Sequence, residues 1–135
     1  MKHIMVPYDQ SAGSNRAIEY AVGLAEKFNS KISIVSCIPR TVPLVPADTT
    51  KSLKESMAKS ISKLEPKLKK SKIPFKSALL DSISVTESLT KYVESNDVDL
   101  IVMGSRGLGG FKKLLLGSVA SGVTQHSKCP VLIVR

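Results

Sequence analysis

The stretch from Met103 to Gly122 reads MGSRGLGGFKKLLLGSVASG. It holds Gly104, Gly107, Gly109, Gly110, Gly117 and Gly122, six of the chain's eight glycines. Glycine at that density costs stability, because it loses more conformational freedom on folding than any other residue. Next to Arg106, Lys112 and Lys113, and just ahead of Ser118, it describes a backbone shaped to approach an anion. The apolar run before it, VDLIVMG over 98–104, predicts a strand. The segment GSVASGVTQHSK over 117–128 predicts a helix.

Working outward from that stretch, the apolar run HIMVP over 3–7 predicts a first strand that breaks at Pro7. A helix follows within 9–30, with Ser14 as its expected cap and Ala17, Ile18, Ala21, Val22, Leu24, Ala25 and Phe28 at helical spacing. KISIVSCI over 31–38 is a β-branched second strand. PRTVPLVPADTT over 39–50, with three prolines, reads as a loop. Residues 50–71 predict one long helix striped by Leu53, Met57, Ile61, Leu64 and Leu68, bent at Pro66. IPFKSALL over 73–80 is a third strand, and 84–97 a helix opened by a Ser84–Glu87 capping box. PVLIV over 130–134 is the last strand.

The order βαβαβαβαβ, with strands that are nearly continuous apolar runs, predicts a single domain over 1–135. Its fold class is α/β: an open, doubly wound, Rossmann-like five-stranded parallel sheet in order 3-2-1-4-5, with helices on both faces. In such a sheet ligands bind beyond the carboxyl ends of the strands, where the strand order reverses. Here that point lies between strands 1 and 4, so PYDQS after the first strand faces the glycine cluster after the fourth. Gly104 is expected to let the chain turn and Gly107 to allow close approach of a ligand. Gly117 and Ser118 open a helix whose free N–H groups and positive dipole end point into the crevice. Ser118 fits two roles, capping that helix or touching a phosphate. The spacing is neither a P-loop nor the dinucleotide fingerprint.

Composition narrows the partners. A hydrophobic content of 42% with 23% charged residues describes a globular chain. No apolar run approaches the roughly 20 residues that span a bilayer, and MKHIMVPYD is too short for a signal-peptide core, so a cytoplasmic location is expected. Cys37 and Cys129 lie far apart and read as small buried hydrophobes, and His3 and His126 have no Cys or carboxylate cluster near them, so no metal site is expected. The net charge of +9 owes much to lysines between Lys51 and Lys72, which read as a solvated helix face. With three Phe, three Tyr and no Trp, the chain lacks the stacking platforms of single-strand binders, so nucleic acid is a weak expectation.

Three segments carry a family resemblance: IMVPYDQSAGSNRAIEYAVGLA (4–25), DVDLIVMGSRGLGGFKKLLLGSVA (97–120) and CPVLIVR (129–135). On these the chain resembles the universal stress proteins over essentially its whole length. The pattern G-x2-G-x9-G-[ST], which marks the ATP-binding members of that family, stands intact at Gly104, Gly107, Gly117 and Ser118. The resemblance implies ATP as ligand, alone or with Mg or Mn. It implies Asp9 at the adenosine end, Cys37 and Ile38 at the adenine, partly through backbone, and the four motif residues around ribose and phosphates. Pro7, Met103 and Val119 flank these positions and complete the expected cofactor-binding set. Arg106, Lys112 and Lys113 are assigned charge neutralisation. The resemblance also implies a homodimer through the C-terminal strand, 130–135, whose apolar edge needs covering. One departure stands out. Family members usually carry a glycine, and often a proline, between the third strand and the next helix, whereas this chain has LLDSISVTES with Ile83 or a neighbour at the glycine position. That crowds one wall of the crevice.

The leading expectation is therefore an ATP-binding regulatory or stress-response module with no catalytic residue. A slow ATP-hydrolysing enzyme is the alternative, with Asp9 and Asp81 as the nearby carboxylates. A basic module for nucleic acid or protein is a third, supported by charge alone.

Overall fold

The computed structural model of the protein describes residues 1–40, 47–106 and 116–135. Five parallel strands form one sheet in the order β3-β2-β1-β4-β5, as expected from the sequence. They are β1 (His3–Pro7), β2 (Lys31–Pro39), β3 (Phe75–Ser82), β4 (Leu100–Gly104) and β5 (Val131–Val134). The helices are α1 (Ala12–Phe28), α2 (Ala47–Ser62), α3 (Glu65–Lys70), α4 (Val85–Ser95) and α5 (Ser118–His126).

Strand alternation divides the core into two layers. Ile4, Val6, Ile32, Ile34, Ile38 and Val102 face α1, α2 and α3. Met5, Val35, Ile101 and Met103 face α4 and α5. The central strands β1 and β4 are buried on both faces, so they read as unbroken apolar runs. The edge strand β3 is half exposed, with Lys76, Ser77, Leu79 and Asp81 turned to solvent.

Several boundaries differ from the sequence reading, each for a local reason. Ser11, not Ser14, caps α1: its Oγ accepts the Ser14 N–H at 3.1 Å, and Ser14 lies buried one turn inside. The expected long helix over 50–71 is two helices. Pro66 has no N–H to give the carbonyl of Ser62, and its ring would clash there, so α2 ends at Ser62 and Pro66 sits in the first turn of α3. The Ser84 cap is present, with the Glu87 N–H donating to its Oγ at 3.3 Å. The Glu87 carboxylate, however, turns to Lys91 at 2.7 Å. Strand β3 extends to Ser82 because its pairing with β2 continues to Pro39↔Ser82.

The amino end of the sheet is closed by its own polar groups. Asp99 accepts the backbone N–H groups of Lys2 and His3 at 2.8 and 2.9 Å, and these bonds hold its carboxyl below the ordinary value. The buried His3 ring meets Ser33 Oγ at 2.7 Å and the Asn96 carbonyl at 2.9 Å. Among the described residues no helix is long and apolar enough to cross a membrane.

Glycine does spatial work in this fold, since no described glycine has a positive φ. A Cβ on Gly104 would stand 2.8 Å from the backbone carbon of Gly13 and 3.0 Å from its Cα and O. A Cβ on Gly122 would stand 2.6 Å from Thr86 Oγ1, at the contact of α4 with α5, whereas a Cβ on Gly23 meets nothing within 4 Å. Gly104→Ala is therefore expected to cost about 2 kcal/mol, because backbone cannot yield. Gly122→Ala should cost less, since the Thr86 side chain can rotate. Gly23→Ala should stabilise by roughly 0.5–1 kcal/mol. Chemical denaturation of the three variants checks the order. A Gly104→Ala protein as stable as Gly23→Ala would contradict it.

Candidate functional site at the carboxyl edge of the sheet

The candidate crevice lies at the reversal of strand order, where β1 and β4 run side by side and lead into α1 and into the segment after Gly104. After β1, the Asp9 Oδ1 accepts the Ser11 N–H at 3.0 Å, a tight turn that delivers the chain to the Ser11 cap of α1. Gln10, inside that turn, has a φ of 68°, a conformation uncommon for a side chain without hydrogen-bonding support. After β4, the chain passes beneath the first turn of α1. The Gly13 Cβ position lies 2.9 Å from the Arg106 carbonyl and 3.7 Å from the Gly104 Cα. The sequence assigned Gly104 to a turn. Its φ is an ordinary one, and it is glycine because α1 touches the strand there, backbone to backbone.

Ser105 then ties the other two elements to this edge. Its N–H donates to the Val134 carbonyl at 2.9 Å, and its carbonyl accepts the Gly117 N–H at 2.6 Å. The start of α5 is thus pinned to the ends of β4 and β5. Gly117 is the N-cap of α5, with φ −67° and ψ 164°, and has no side chain to bond the first-turn amides. Ser118 is therefore not the cap. It is the first helical residue, and it is exposed. The first-turn N–H groups of a helix have no intrahelical acceptor, so the backbone of Ser118, Val119 and Ala120 presents donors and a positive dipole end. Arg106 is exposed nearby in the chain. Gly107, Lys112 and Lys113 lie outside the described residues.

The second wall is the end of β2. Its two expected contact residues point to opposite faces. Ile38 is fully buried in the α1–α2 layer, so only its backbone is available to a ligand. Cys37 packs in the α4–α5 layer, where burial pushes its thiol above the ordinary value and Ser82 opposes that shift. Met103 is buried in that same layer and Pro7 is half buried. The wall is held together by Ser36 Oγ, which donates to the Tyr8 carbonyl at 2.8 Å, and by the Arg40 N–H, which donates to the Ser82 carbonyl at 2.7 Å. Ile83, read as a crowding residue, is 82% exposed. Its φ is not positive either, so no glycine is required at that place.

Residues 1–135 match the universal stress protein family. This chain belongs to that family. Universal stress protein YxiE of Bacillus subtilis is 31% identical over 145 residues, covering 98% of this chain and 97% of its own length. Universal stress protein UspA from Lactobacillus plantarum has the same fold, with a TM-score of 0.85 at 21% identity over 99% of this chain and 97% of its own. A universal stress protein solved in complex with cAMP gives a TM-score of 0.78 at 23% identity, covering 99% of this chain and 97% of that one. The universal stress protein from Archaeoglobus fulgidus in complex with dAMP gives 0.74 at 19% identity, covering 100% and 98%.

Besides Ser105 and Ser36, sequence reasoning overlooked four residues of this universal stress protein's candidate site and its frame. They are Gly13, Gln10, Ser11 and Gly122. The signal for Ser11 was available, because Ser11 and Ser14 stand three apart, the spacing of a cap and the amide it bonds. Cys37 gives a direct check on the second wall. At neutral pH its alkylation by iodoacetamide should be slower in the folded protein than in the unfolded chain by roughly fivefold or more. Equal rates, followed by mass spectrometry, would mean that the end of β2 is open rather than packed.

Proposed function

We propose that this universal stress protein binds ATP in the crevice between the Asp9 turn and the N-terminus of α5, as a regulatory module rather than an enzyme. The observation that carries the reading is the glycine-capped start of α5, hydrogen-bonded through Gly117 to the end of β4 at the reversal of strand order. The donor set fits the ligand. First-turn amides, the Ser118 hydroxyl and Arg106 suit phosphate oxygens. Asp9, an acceptor, suits a ribose hydroxyl. The relatives solved with cAMP and dAMP are consistent with an adenine nucleotide.

Binding without turnover is favoured by the state of the carboxylates. In this reading Asp9 faces the ribose rather than the phosphates, and Asp81 pairs with Lys54 at 3.1 Å on the exposed edge strand, so neither is given the place of a general base. The lysine face also has internal work. Lys54, Lys67 and Lys69 pair at the surface with Asp81, Glu19 and Glu65, which offsets part of the positive charge of α2 and α3. A cytoplasmic stress or regulatory role is part of the same reading.

A ligand that binds only the native state adds about 2.7 kcal/mol at a hundredfold excess over Kd. Each kcal/mol moves the melting midpoint of a domain this size by roughly 3–5 °C. Millimolar ATP is therefore expected to raise the midpoint by about 10 °C for a Kd of about 10 μM, AMP by less, and GTP by less again. Gly117→Val should keep the fold, because its φ and ψ suit any side chain, and should lose the ATP shift. Tripolyphosphate matching ATP, with both effects fading in high salt, would reduce the reading to attraction of polyanions by net charge.

We also propose that β5 pairs with the same strand of a second copy. It is an edge strand, Leu132 on it is 37% exposed, and an apolar edge left open invites aggregation. Sedimentation at tens of micromolar should show a dimer, and Leu132→Lys should shift it toward monomer. A native monomer at that concentration would overturn the pairing.

A further inference from the structure

Gln10 has its backbone in the site and its side chain on another element. The backbone closes the Asp9 turn in the left-handed region, at φ 68°. The side chain reaches across to α2, where its Oε1 accepts from Ser60 Oγ at 2.9 Å and its Nε2 faces Ser56 Oγ at 3.4 Å. Ser56 and Ser60 stand four apart and so share one helix face. Met57 and Ile61, beside them, are the residues through which α2 enters the core. A non-glycine residue in the left-handed region persists where its surroundings hold it there. Here the Asp9–Ser11 turn brackets it and α2 holds its side chain.

From this geometry we propose that Gln10 is a positioning residue that couples the Asp9 turn to the docking of α2 on the sheet. It rests on the reading that Asp9 contacts the nucleotide. A ligand on Asp9 fixes the turn, the fixed turn holds the Gln10 amide against Ser56 and Ser60, and α2 is held down. By linkage, the reverse applies equally: loosening α2 weakens the ligand.

Hydrogen exchange on the full chain, with and without saturating ATP, tests this. Amides of α2 over 51–62 should exchange roughly fivefold more slowly with ATP. Those at 89–95 in α4, on the other face of the sheet, serve as the reference for general stabilisation. Gln10→Gly keeps the turn, since glycine accepts its φ, and removes the bridge. Ser60→Ala removes the shorter of the two bonds from the other side and leaves Asp9, Gln10 and Ser11 unchanged. In both variants ATP should still saturate the protein, with an affinity weakened by roughly three- to tenfold. The added protection of α2 should fall to that of the reference. A native protein that binds ATP by calorimetry while 51–62 gains no more than 89–95 overturns the coupling and leaves the nucleotide reading standing. The same holds if both variants keep the full α2 effect. A native protein that does not bind ATP overturns both.

Discussion

The contact between Gly13 and Gly104 sets the arrangement of everything at the carboxyl edge. The first turn of α1 lies on the end of β4 with no side chain between them, and no Cβ fits on either residue without meeting backbone within 3 Å. That contact fixes the Asp9 turn, which leads into α1, relative to the segment leaving β4. Ser105 then joins β5 and α5 to the same point through its N–H and its carbonyl. Three chain segments distant in sequence are thus held in one frame by main chain alone. Main chain is stiffer than side chains, and a preorganised anion site needs that stiffness.

The two ends of the sheet differ in chemistry. At the amino end, Asp99 takes two backbone amides, and both ring nitrogens of His3 have partners. At the carboxyl end, a glycine caps α5 where Ser11 caps α1 with a side chain. A domain with a net charge of +9 draws anions to its whole surface. A helix start without a side-chain cap gives them a place with defined donors. Opposite it, Asp9 supplies an acceptor of the kind that a polyanion alone does not need and a nucleoside does.

Much of this was legible in the sequence because burial imposes it. Strands covered on both faces must be continuous apolar runs, and HIMVP, KISIVSCI and LIVMG are such runs, so their order and the reversal between β1 and β4 followed. What could not be read was pairing across sequence distance. Gly104 looked like a turn residue because its partner, Gly13, lies ninety-one positions away in a different element, at residue 13 against residue 104. The side-chain bridge from Gln10 to α2 depends on the rotation of that helix about its own axis, which the stripe of Leu53, Met57 and Ile61 gives only coarsely. At Ile83 the resemblance supplied a glycine and the chain a bulky residue. In the folded protein its side chain points to water.

The most direct test of the proposed ATP site is a titration of isotope-labelled protein with ATP, followed by amide chemical shifts. With ATP in the crevice, the largest changes fall at the amides of Gly117–Ala120 and Asp9–Ser11, saturating together at one ATP per chain. Changes spread over the lysines of α2 and α3, with the start of α5 unmoved, would show that charge alone recruits ATP and that the crevice is not its site.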